Sequence, residues 1–131
     1  MFLFPASGQT KTQIVDDHIA AFNKRDIEGF IKPMSDSVKL IAFPDIITEK
    51  SKEEVRKNYA AAFDSKELGG QMIILGKLEI GNVYIVEESL QRDGLEPVTQ
   101  YILFRFSGDK IIEIHYLPKN FSWPNTRFDR R

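Results

Sequence analysis

Cysteine is missing from the chain altogether, which removes disulfides, thiolate nucleophiles and cysteine metal sites together. Two histidines are too few for a histidine-rich metal cage, so neither a metal nor another cofactor is expected. Net charge is nearly missing as well: a formal charge of −1 and a pI of about 6.1 leave no positive field to collect phosphates, and nucleic acid is not an expected partner. The opening Met1-Phe2-Leu3-Phe4 is apolar but stops at Pro5, has no basic residues before it, and falls short of a signal segment of roughly 7 to 15 apolar residues. The expectation is a cytoplasmic protein without a membrane partner. No P-loop, GxSxG, Rossmann glycine pattern or HExxH occurs, so nucleotide binding, serine hydrolysis and zinc proteolysis find no support.

What is there is the composition of an ordinary globular protein: 131 residues, 42% hydrophobic and 28% charged, enough for one domain with its own core. Thr10 and Gln13 stand at capping-box spacing, and Ile14, Val15, Ile19 and Phe22 then place apolar side chains along one helical face, predicting a helix over 11–24. Asp26 is a suitable N-cap for a short helix with Ile27, Phe30 and Ile31, closed by Pro33. Val38 to Phe43 is rich in strand formers, with a second short strand at 46–48. Ser51 and Glu54 form a second capping box ahead of Val55, Tyr59, Ala62 and Phe63, and this third helix should stop at Gly69-Gly70.

From Gln71 onward four strand-like runs, about 71–80, 83–92, 97–107 and 110–117, are separated by Gly81-Asn82, Asp93-Gly94 and Gly108-Asp109, dipeptides that supply the positive φ angles of tight turns. Strands joined this way run antiparallel, and their apolar face needs the helices as a cover. Residues 1–10 read as an N-terminal arm. Residues 119–131 read as a tail whose Phe121, Trp123 and Phe128 sit among four basic residues and one acid.

Alternation along the strands singles out two polar residues. Tyr84, Val86, Glu88 and Leu90 share a face that reads as covered, and a buried carboxylate there needs a partner or a raised pKa. Gln100, Ile102, Phe104 and Phe106 share the next covered face, so Gln100 is a polar group on an apolar wall and a good ligand for a carbonyl or hydroxyl. His18, between Ile14 and Phe22 on the apolar face of the first helix, is either a core histidine with a backbone partner or a pocket base. Tyr59 and Tyr116 can offer phenol donors or serve as core rings. Glu113 and His115 are expected to face outward.

Ile19 to Phe30, Lys52 to Tyr59 and Gly108 to Tyr116, in this order of elements, resemble the SnoaL-like branch of the nuclear-transport-factor-two-like superfamily, which includes the ketosteroid isomerases; the likeness covers about residues 11–118. The resemblance implies an α+β cone-shaped half-barrel, with three N-terminal helices packed on a curved antiparallel sheet. It also implies a homodimer through the outer sheet face, where Tyr101, Leu103 and Leu117 are apolar. An isomerase would need an aspartate base at the end of the first long strand, a tyrosine in the first helix and a second acid on the third meander strand. Those positions fall here on Phe43 or Ala42, on His18 and on Ile102, so that chemistry is not carried over. The resemblance still implies a pocket for a small apolar molecule, walled by Phe22, Tyr59 and Phe63 from the helices and by Phe43, Val86, Gln100, Ile102, Phe104, Ile114 and Tyr116 from the strands. Two functions fit it: acid–base catalysis of an isomerase, dehydratase or cyclase type by His18 and Glu88 as a hydrogen-bonded pair, or binding of a metabolite or partner segment without chemistry.

Overall fold

A computed structural model describes residues 9–65 and 70–118. The expected arm, apart from Gln9 and Thr10, the aromatic tail and Gly69 lie outside them.

Helix α1 (Lys11–Lys24) opens on the full capping box, with Thr10 Oγ1 accepting from the Gln13 amide and Gln13 Oε1 from the Thr10 amide. It closes on Arg25, whose left-handed φ of 59° turns the chain into the short α2 (Ile27–Ile31), capped by Asp26. Strand β1 (Met34–Ala42) starts directly after Pro33, four residues earlier than strand propensity suggests, because pairing with another strand and not local preference sets its start. After β2 (Ile46–Glu49) comes α3 (Lys52–Asp64). Its capping box is displaced by one residue: Ser51 Oγ accepts from the Glu54 amide, while the Glu54 carboxylate reaches back to the Lys50 amide at 2.6 Å. Ser51→Ala should therefore cost about 1 kcal/mol in thermal or urea unfolding; an unchanged midpoint would mean that water serves the Glu54 amide equally well. The helix ends at Asp64, short of the glycine pair, with Ser65 already extended.

The meander follows as β3 (Gln71–Ile80), β4 (Val83–Gln91), β5 (Val98–Ser107) and β6 (Lys110–Pro118). Gly81 and Gly108 turn at φ of 58° and 61°. The six strands form one curved, unclosed sheet in the order β2-β1-β6-β5-β4-β3. Every pairing is antiparallel except that of β1 with β6, which is parallel, the connection between them running through β2, α3 and the strands β3 to β5. Register shifts at Leu40/Ile41, Ile74/Gly76 and Arg105/Phe106 mark irregularities that bend the strands around the helices. The result is the α+β half-barrel.

Helix α1 lies along the edge strand β3. Lys11 pairs with Glu79 at 3.7 Å and Asp16 with Lys77 at 3.5 Å, and the Asn23 amide group exchanges two hydrogen bonds with the Met72 backbone, at 2.7 and 3.0 Å. The exposed ion pairs add little. The Asn23 bonds matter more, since they occupy backbone groups of an edge strand that would otherwise invite another chain. Beneath the helices, Ile14, Val15, Ile19, Phe22, Phe30 and Val55 close on Val38, Leu40, Val86, Phe104, Phe106 and Ile114 as one core. On the outer face Tyr101, Leu103 and Leu117 are half-buried, and exposed apolar side chains there include Ile73, Leu78 and Ile80 of β3. Among the described residues no helix is long and apolar enough to cross a membrane.

Candidate functional site

The covered sheet face carries the residues that alternation singled out. Glu88 on β4 has no exposed surface and sits in register between Ile74 of β3 and Gln100 of β5. Gln100 Nε2 donates to Glu88 Oε1 at 3.0 Å, whereas Glu88 Oε2 is buried without a partner among the described residues. Burial pushes the Glu88 carboxyl above the usual carboxylate range, and the Gln100 bond only partly offsets that.

The expected His18–Glu88 pair is not formed. His18 Nδ1 lies 2.8 Å from the Phe30 carbonyl; a carbonyl only accepts, so the ring donates from Nδ1 and leaves its lone pair on Nε2. The imidazole stacks on Phe30 at 4.3 Å and meets the Phe104 ring edge-on at 5.5 Å. Burial lowers its pKa from 6.5 to about 4, against the smaller upward pull of the Phe30 hydrogen bond. His18 is thus a neutral core histidine holding α1 to the end of α2. As a base it is too weak for proton transfer near neutrality.

Part of the expected wall lies in the core. Val86, Phe104 and Ile114 have 0% accessible surface, Ile102 2% and Phe22 4%. These residues pack together in the core. The rings of Phe22, Phe30, Tyr59 and Phe63 fill the space above them, with centroids 4.8 to 6.2 Å apart. Phe43 is half-buried at the end of β1, its amide bonded to the Tyr116 carbonyl at 3.0 Å. A cleft of about 200 Å³ lies at the opposite end of β5 from Gln100, between Ile14, Asp17, Gly29, Lys32 and Asp109, and contains none of the expected residues.

Toward the Gln100 end of the sheet the packing loosens. Met72, Ile74 and Leu90 of the strands, Tyr59 and Phe63 of α3, and Tyr116 of β6 are only partly buried; Ile74 lies across from Glu88, Met72 across from Leu90 and Tyr116 across from Ile102. The Tyr59 and Tyr116 phenols are hydrogen-bonded to each other. Burial raises both pKa values. For Tyr116 the neighbouring Tyr59 and the negative charges of Glu49 and Glu88 add to the rise, and for Tyr59 the hydrogen bond opposes it.

Glu49 is the group that sequence reasoning missed. It is 8% exposed and accepts from Thr48 Oγ1 at 2.5 Å and from Asn58 Nδ2 at 2.9 Å. It faces inward because it pairs with Leu40 across the register shift between β1 and β2, and a four-residue strand is too short to show which of its faces is covered.

Neither a protein-family model nor a curated protein matches the sequence. Solved structures do match. An uncharacterized cystatin-fold protein from Novosphingobium aromaticivorans superposes with a TM-score of 0.76 at 23% identity, over 84% of this chain and 99% of the other. An NTF2-like protein of unknown function from Cytophaga hutchinsonii gives 0.71 at 12% identity, over 88% and 95%. A Jannaschia protein assigned as a SnoaL-like polyketide cyclase gives 0.62 at 16% identity, over 86% and 92%. At such identities the likeness is one of architecture, and the chain has the cystatin-type fold of the nuclear-transport-factor-two-like and SnoaL-like proteins.

Proposed function

We propose that this protein binds a small, mainly apolar molecule carrying one hydrogen-bonding group, seated on Met72, Ile74, Leu90, Tyr59, Phe63 and Tyr116 and anchored by Glu88 with Gln100. The observation that carries the reading is the Glu88 carboxyl, enclosed with one oxygen partnered and the other without a partner among the described residues, so that a ligand reaches it as the half-buried side chains around it move aside. An unsatisfied buried oxygen costs about 1–3 kcal/mol, a penalty that a ligand donor or acceptor would relieve. Half-buried apolar side chains around it supply the remaining contact area. Phe22, Val86, Ile102, Phe104 and Ile114 support this seat from beneath, and His18 has no part in its chemistry.

Acid–base catalysis is the second reading, favoured by the raised Glu88 pKa, and in it Glu88 alone carries the proton. One experiment addresses both. The protein is incubated with a metabolite extract, washed, and the retained molecule identified by mass spectrometry, beside Glu88→Met. We expect a retained species in the parent that the variant loses. Recovery of a converted product would make the protein an enzyme, and equal retention by the variant would remove Glu88 from the site and sink the proposal.

A further inference from the structure

Resting on the binding reading, we propose that the ligand is an elongated apolar acid. Its carboxylate meets Arg92 at the end of β4, its hydrocarbon lies on Leu90 and Met72, and a hydroxyl at its far end meets Glu88.

Glu88 and Leu90 hold successive inward positions of β4, opposite Ile74 and Met72 of β3, and Arg92 follows directly after the strand. Gly70 shows where the Arg92 stem goes. A Cβ on Gly70 would stand 2.7 Å from Arg92 Cγ, 3.2 Å from Leu90 Cδ1 and 2.8 Å from the Gln91 carbonyl oxygen, and the φ of 115° also favours glycine. The Arg92 stem and the Leu90 side chain therefore lie together against Gly70, so Arg92 continues the row that Glu88 and Leu90 begin. Arg25 holds the same glycine from the turn after α1, donating to its carbonyl at 2.9 Å.

Arg92 is half-buried, and its Nε is enclosed without a hydrogen-bond partner among the described residues. Nor does a described carboxylate pair with it. A buried guanidinium donor is costly to leave unmet. Nε and its neighbouring Nη present two parallel N–H groups, which match the two oxygens of a carboxylate. An ammonium would be repelled there, and a hydroxyl would meet the fork with a single oxygen and no charge.

The acids along the same stretch of chain do not reverse this preference. Asp93 and Glu96 are exposed, where water and salt screen them. Glu88 stands four residues from Arg92, about 13 Å along an extended strand, so its protonation state bears little on an anion held at Arg92. A hydroxyl suits Glu88 in either state, donating to the carboxylate or accepting from the acid. Lys66, Glu67 and Lys119 lie outside the described residues, so the test turns on Arg92 itself.

The full chain is titrated by calorimetry with 10-hydroxydecanoate and with 1,10-decanediol, which differ only at the end assigned to Arg92. NMR shifts at Leu90 and Gln100 locate the seat. We expect the acid to bind about tenfold or more tightly than the diol at neutral pH. In Arg92→Gln the acid should lose that advantage, and in Arg92→Lys, which keeps the charge but not the fork, it should keep part of it. A diol that binds as well as the acid, or an acid that keeps its full advantage in Arg92→Gln, would overturn the acid, while shifts at Leu90 and Gln100 would leave the seat standing. Two probes that move neither resonance would overturn the seat as well.

Discussion

Glu88→Met is expected to raise the stability of the unliganded protein at neutral pH by about 1–3 kcal/mol while abolishing ligand retention. Methionine fills a similar volume, removes the orphaned oxygen and costs only the acceptor of a half-buried Gln100. The pH dependence identifies the cause. The folded-state pKa of Glu88 lies above its unfolded value of 4.5, so its contribution to stability is fully present below 4.5 and is lost as pH rises through the folded value. The gap between variant and parent should therefore be small near about pH 4 and widen toward neutrality, as read from urea midpoints across that range. A gap independent of pH would mean that Glu88 is ionised or partnered in the folded protein at all these values. A gain in stability with a loss of binding is the signature of a group kept for function.

The architecture was legible because its signals are local. The Thr10 and Ser51 caps, the helical spacing of Ile14 to Phe22, and the turn dipeptides at Gly81 and Gly108 each act within a few residues, and each lies where expected. Alternation also placed Glu88 and Gln100 correctly on the covered face. The parallel pairing of β1 with β6 and the inward turn of Glu49 were not legible, since both depend on contacts between distant segments and on a register shift. The site was legible only in part. Period gives the face of an element but not its depth, so the same pattern that assigned Phe104 and Ile114 to the inner face could not tell packed core from pocket wall. His18 shows this most clearly: the helix placed it correctly, and only the nearby Phe30 carbonyl, brought in by the turn at Arg25, decides that its ring is a structural donor.

A neutral, buried His18 predicts a second large effect, in acid. The folded-state pKa of His18, about 4, lies below its unfolded value of 6.5. Its contribution is therefore fully present above 6.5 and is lost as pH falls toward 4, because the unfolded chain takes up the proton first. The full difference is worth on the order of 3 kcal/mol. His18→Phe removes this titration but leaves the Phe30 carbonyl without its donor, so at neutral pH the variant should be less stable by about 1–3 kcal/mol. As pH falls the parent weakens and the variant does not, and the two stability curves should converge or cross between pH 6.5 and about 4. Glu88 acts in an overlapping range with the opposite sign, so the comparison is cleanest with Glu88→Met present in both proteins. Parallel curves would show that His18 is not held neutral by burial. A variant more stable than its parent at neutral pH would show that the Phe30 bond contributes nothing.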